Sequence, residues 1–188
     1  LIKIDNQKSQ SSFSTNAIKA DALDAKIVRL TAEASGQSFN VSKDMMQRIP
    51  QFVENEKSLY DTNQQQLNSK LNALKEQLIQ KKQELSEAES SRNSMKESLK
   101  FINAEVQMTK PMVAKGVRSR IDYLKLQREA NDVKDKYNSA RLAIPRLNSA
   151  IKEVESTIEE TMFIYKSDAK LNFNDSFILL RVLLASES

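Results

Sequence analysis

A mirror symmetry about Gly116 constrains this chain more than any other feature. Going back from Gly116, the positions spaced alternately by four and three are Val106, Ile102, Leu99, Met95, Arg92, Ala88, Leu85, Lys81, Leu78, Leu74, Leu71 and Leu67. Going forward they are Leu126, Ala130, Val133, Tyr137, Ala140, Ile144, Leu147, Ile151, Val154, Ile158, Thr161 and Tyr165. A four-three spacing of apolar residues is the heptad seam of a coiled coil. Each backward position is as far from Gly116 as its forward partner. That register suits two antiparallel helices joined by a turn at Gly116, and it disfavours one long helix that dimerises. Only Lys81 and Arg92 break the seam strongly. A polar seam residue can set register; the simpler reading is that both stems lie along the seam while their charges reach water.

The residues around the turn agree with this. Gly116 is one of only two glycines in 188 residues, and glycine takes a tight turn without a Cβ penalty. Pro111 is expected to help end the preceding helix near Thr109, because the residue before a proline disfavours the α conformation. Ser119 is placed to cap the next helix, with Asp122 three residues on, favourable beside a helix N-terminus.

Scarcity of turn residues argues the same way for the whole chain. Two glycines and three prolines are too few for a β-rich or α/β fold of this length. The expected fold is all-α: a long antiparallel coiled-coil α-hairpin with an additional N-terminal helix packed near its base. Residues 1–5, LIKID, alternate apolar and polar and read as the end of a β-strand. Helix 1 is expected from about residue 8 to 35, with a stripe of Phe13, Ala17, Ala20, Leu23, Ile27, Leu30 and Ala34, and Gly36 to stop it. Helix 2 is expected from about 43 to 110, broken near Pro50. Residues 111–119 form the tip. Helix 3 runs from about 120 to 175 or beyond; Pro145 bends it without ending it, and NFNDS weakens it after Leu171. Arms of ~55–65 residues would be roughly 80–100 Å long. All of this reads as one helical domain. Its abrupt ends predict a fragment of a longer chain.

The chain has no Cys, His or Trp. This removes thiol nucleophiles, imidazole bases and Cys/His metal sites. The carboxylates are scattered along helix faces, mostly near Lys or Arg. A non-catalytic protein without metal or cofactor is expected. FILLRVLLA, Phe177 to Ala185, is too short to span a bilayer and carries Arg181.

Charge concentrates at the turn. From Met108 to Arg128 there are six basic side chains against Asp122 alone, a segment charge of +5, whereas the whole chain carries +4. Met112 and Val117 stand among these charges. Three readings of the tip remain open: a protein-docking surface, a polar turn with no further role, or a phosphate-binding patch.

Four stretches carry a family resemblance: LIKIDN; RLTAEASGQ, Arg29 to Gln37; KGVRSRIDYLKLQREANDVK, Lys115 to Lys134; and LAIPRLNSAIKEVE, Leu142 to Glu155. In order and spacing the chain resembles the periplasmic adaptors, or membrane fusion proteins, of type I secretion systems, the HlyD-like family. The resemblance implies an adaptor anchored in the inner membrane of a Gram-negative bacterium, its periplasmic part bridging an ABC transporter to an outer-membrane channel for protein export. It implies self-association, commonly as a hexamer, and a lipoyl-like domain and β-barrel elsewhere in the full protein. Many members carry Arg-x3-Leu-x6-Ser at the docking tip. Here Ser119 matches the Ser, Met112 stands for Leu, and Met108 stands where Arg is expected; Lys110 is the nearest base. The implied partner-binding residues are Met108, Met112, Lys115, Gly116, Val117, Arg118, Ser119 and Arg120, with no nucleic acid as partner. The competing readings are a structural scaffold coiled coil and a nucleic-acid-binding coiled coil.

Overall fold

A computed structural model describes the backbone of residues 2–185 and the side chains of residues 15–185. It contains four helices: α1 (Ile2–Ser35), α2 (Lys43–Arg48), α3 (Pro50–Ala114) and α4 (Arg120–Ala185). Among the described residues there is no strand. The fold is all-α, a long helical hairpin formed by α3 and α4.

Local chemistry explains where each helix stops. Both glycines take φ +71°, the left-handed conformation that costs a residue with a Cβ about 1–2 kcal/mol. Gly36 ends α1, and the next N–H, of Gln37, donates to the Ala32 carbonyl at 3.0 Å. Gly116 ends α3 in the same way. Its N–H donates to Val113 O at 3.0 Å, and that of Val117 to Met112 O at 2.9 Å. This six-to-one, five-to-two pair of bonds is the Schellman cap, which satisfies the last carbonyls of a helix. Pro50 divides α2 from α3. The preceding residue, Ile49, is pushed to φ −136°, out of the α region. Pro50 then opens α3, where its missing N–H has no partner to lose. Ser42 caps α2 by accepting from the Met45 N–H at 3.1 Å.

Three expectations are corrected. Ile2–Asp5 are the start of α1, not the end of a strand, so α1 begins before Lys8; Leu1 and the Phe13 side chain lie outside the described residues. A strand needs a neighbour for its backbone groups, whereas a helix pairs its own. Pro111 does not end α3, which continues to Ala114. One proline removes a single N–H, and the helix resumes its ladder with Lys115 N donating to Pro111 O at 3.1 Å. The stop is Gly116. Finally, NFNDS does not weaken α4. Phe173 and Phe177 stack one turn apart at 5.8 Å, Asn172 turns its amide back to Asp168 O, and Ser176 is buried. Pro145 lies inside α4 without ending it.

The chain forms two compact units. One comprises residues 74–157, the other 1–73 with 158–188. In the first, every expected seam position from Leu78 to Val106 and from Leu126 to Val154 is buried or half-buried. Lys82 and Glu155 meet across the pair at 3.3 Å, beside the layers Lys81–Ile151 and Leu78–Val154 of the mirrored register. Lys81 folds back to Glu84 at 2.8 Å and Arg92 to its neighbour Asn93. Both stems stay on the seam while their charged ends turn along their own helix, at little electrostatic cost.

The second unit is a three-helix bundle, and it gives α1 its direction. Between α1 and α3, Arg29 pairs with Glu56 and Glu33 with Asn63. Both residue numbers rise together, so α1 and α3 run parallel. Against α4 the order reverses: Ala22 and Leu23 share a cleft with Leu179 and Leu183, while Gly36 lies near Lys166. Parallel helices in sequence need a return path. Residues 37–42 supply it, packing Phe39 and Val41 onto a core of Ala25, Ile49 and Val53. The Phe39 ring lies 5.8 Å from that of Tyr60. Burying Leu30 and Val53 fully contributes about 1.5–3 kcal/mol each.

Candidate functional site

The tip lies within unit 74–157. Its residues come from the last two turns of α3, the turn 115–119, and the first two turns of α4. The geometry is fixed locally from both sides. Gly116 caps α3. Ser119 Oγ accepts from the Ile121 N–H at 3.2 Å, and Ser119 O accepts from the Tyr123 N–H at 3.2 Å, so α4 starts at Arg120. Asp122 sits in that first turn, where a carboxylate favours the positive helix end.

The structure brings Met108, Met112, Lys115, Gly116, Val117, Arg118, Ser119 and Arg120 to this one end, and all eight are exposed. Met108 is 63% and Val117 71% exposed. Ile121 and Leu124 extend the exposed apolar surface onto α4; the sequence reading stopped at Arg120 and missed them. Their signal was present: in the heptad that places Leu126 on the seam, positions 121 and 124 fall outside it. No other protein atom would meet a Cβ built on Gly116 within 4 Å. Glycine is required there by its φ, not by crowding.

The charges at the tip are uneven. Arg118 and Lys125 line a recess with Glu105, Asp122 and Glu129, so carboxylates offset them. Among the described residues, Lys110, Lys115 and Arg120 form no ion pair. Elsewhere some basic residues are paired, among them Lys57 with Asp61, Lys81 with Glu84, Lys82 with Glu155, and Arg48 with Asp21 and Asp24, while others such as Lys75, Lys96 and Lys100 stand exposed as the tip residues do.

A second polar cluster lies inside the three-helix unit. Arg29 Nη1 donates to Glu33 at 2.8 Å and its Nε to Glu56 at 2.6 Å. Glu33 also accepts from Asn63 Nδ2 at 2.9 Å. Tyr165 accepts from Gln64 at 3.0 Å and donates to Glu33. The side chains of Arg29 and Glu33 are only 8% and 4% exposed. Burial pushes the Tyr165 hydroxyl up to about 12, with the Glu33 charge adding to the shift. Desolvation works against the Arg29 charge, but the Glu56 hydrogen bond and the two carboxylates hold its pKa above the usual value. Every strong group has a partner, so the cluster orients α1 against α3 and α4. It accounts for the RLTAEASG stretch: Arg29 and Glu33 form the buried pair, Leu30 and Ala32 are core, and Gly36 is the cap.

Among the described residues, no group of three or more acidic, His or Cys side chains is arranged to hold a metal. No helix among them is long and apolar enough to cross a membrane.

Comparison with known proteins gives matches to a family model and to solved structures. The family model described as "AprE, long alpha-helical hairpin" matches residues 9–175. The soluble domain of LipC, a membrane fusion protein of a type I secretion system, shares the fold with a TM-score of 0.85 and 18% identity. The alignment covers 95% of this chain and 87% of that one. No curated protein sequence matches.

Proposed function

We propose that this chain, which belongs to the AprE long α-helical hairpin family, is the helical part of a type I secretion adaptor. In this reading it lies in the periplasm and is non-catalytic. It connects an inner-membrane ABC transporter to an outer-membrane channel, and it works within a self-associated full-length protein. The observation that carries the reading is the family match over residues 9–175, joined to the fold shared with the LipC soluble domain.

The chemistry of the tip supports a docking role. A coiled coil from Leu74 to Ala114 alone extends about 60 Å, and a polar seam end has no need of exposed methionine and valine. Met108, Met112, Val117, Ile121 and Leu124 lie exposed beside a turn held by two caps. Methionine adapts to a partner surface, and a pre-formed turn loses little entropy on binding. Docking places Met112 and Val117 against the channel, with Ser119 holding the α4 end in place. Replacing Met112 and Val117 together by Asp in the full-length protein tests the reading. Export should fall by about tenfold or more with the protein still folded; unchanged export would remove tip docking.

A further inference from the structure

We propose that the tip's partner is a protein surface whose apolar hollow is rimmed by Asp or Glu, and that Lys115 and Arg120 are the contacts to that rim. The inference rests on the docking role proposed above and adds the chemistry of the partner. Three observations lead to it. The first is the concentration of charge. Residues 108–128 carry six basic side chains against Asp122 alone, and Lys115 and Arg120 flank the turn exposed and without an ion pair among the described residues. The second is that carboxylates near the tip gather in one recess with Arg118 and Lys125, leaving Lys115 and Arg120 outside it. The third is that apolar side chains interleave with these charges: Val117 lies between Lys115 and Arg120, and Ile121 follows them, both exposed.

Like charges held close at a folded surface repel, and an acidic partner relieves that repulsion on binding. The complement of this tip is therefore acidic at the edge and apolar at the centre. A nucleic acid fits less well, since Tyr123 is the one aromatic near the tip and is half-buried, leaving no ring exposed for base stacking. A lipid surface fits less well too. Interfacial loops use Trp or Tyr as anchors, and here the apolar groups are short and rigidly capped.

The test uses the full-length adaptor and the purified outer-membrane channel of the same secretion system, with affinity measured between 50 and 300 mM NaCl. Three proteins are compared: wild type, the Lys115→Gln/Arg120→Gln variant, and the Met112→Asp/Val117→Asp variant. The proposal expects wild-type affinity to fall by about tenfold across the salt range. It expects the Gln variant to bind about tenfold more weakly at low salt, with a flatter salt dependence. A Lys introduced for a carboxylate at the channel mouth should weaken wild type and be restored by Arg120→Glu. If the Asp variant loses binding while the Gln variant binds as wild type, docking stands and the acidic rim is overturned. If both variants bind as wild type, or wild type does not bind, the docking role fails with it. Tighter binding to phosphatidylglycerol vesicles or to a single-stranded oligonucleotide than to the channel overturns a protein partner. All four substituted side chains are exposed, and circular dichroism checks that each variant is folded.

Discussion

Replacing Glu33 by Leu removes the carboxylate that takes hydrogen bonds from Arg29, Asn63 and Tyr165. Arg29 then keeps only Glu56, at 2.6 Å, with its own side chain 8% exposed. Breaking a buried pair costs roughly 3–5 kcal/mol. The surviving Glu56 bond places this case near the lower end, about 3 kcal/mol, and the two neutral donors add about 1 kcal/mol. A control of identical spacing lies on the surface. Lys57 and Asp61 are also four residues apart, but both are 59% exposed, and Asp61→Ala should cost less than about 0.5 kcal/mol. Spacing is equal in the two pairs and burial differs, so burial must set the result. Changing Arg29→Met and Glu33→Leu together removes the stranded charge, and the cost should fall to about 1 kcal/mol. With Glu33→Leu alone at about 4 kcal/mol, the coupling between the sites is then about 3 kcal/mol or more, larger by whatever Arg29→Met costs alone. The assay is urea unfolding followed by circular dichroism, with hydrogen exchange over Ala25–Ser35 to localise the loss. A Glu33→Leu cost below about 1 kcal/mol, or a double variant that loses the sum of the singles, would refute the reasoning.

Three further predictions concern the turn, a titration and a helix interior. Gly116→Ala should destabilise by about 1–2 kcal/mol through φ alone, with Gly116→Asn recovering part of it; equal stability of Ala and Gly by thermal unfolding would contradict the +71° backbone. Tyr165 should ionise near pH 12 in an ultraviolet titration, and Tyr165→Phe should remove that step. Because its folded pKa lies above the ordinary 10.0, its contribution is complete below about pH 10 and is lost as pH rises towards 12; stability that rises across that window would have the wrong sign. Pro145→Ala restores a helix N–H inside α4 and should raise stability by about 1–3 kcal/mol in the same urea assay. A loss would mean that the bend is needed by its neighbours.

The legible parts of this fold are those governed by residues near in sequence. The seam could be read because burial on a helix pair repeats every three or four residues, so Leu99 and Val133 announce themselves. Both glycine caps were readable for a similar reason: few other residues take φ +71°. Pro111 misled because a proline penalises a helix locally, while the stop is set by the hydrogen bonds around Gly116. NFNDS misled because Ser176 is buried and Phe173 and Phe177 stack one turn apart, neither of which a local propensity includes. The Arg29–Glu33 pair was illegible as a core feature. From sequence it has the same four-residue spacing as Lys57–Asp61, and only the arrival of Glu56, Asn63 and Tyr165 distinguishes them. The direction of α1 was equally hidden, since it depends on the return path taken by residues 37–42. At the tip, the sequence grouped the eight residues, but not the division of charge that leaves Lys115 and Arg120 outside the acidic recess.

The chain contains no cysteine, so a single introduced thiol reports from one place. The most direct measurement is crosslinking in cells from full-length adaptors carrying one cysteine at position 117 or at position 97, an exposed site on the arm. Tip docking predicts crosslinks to the outer-membrane channel from 117 and none from 97. Crosslinks from 97 with none from 117 would contradict it.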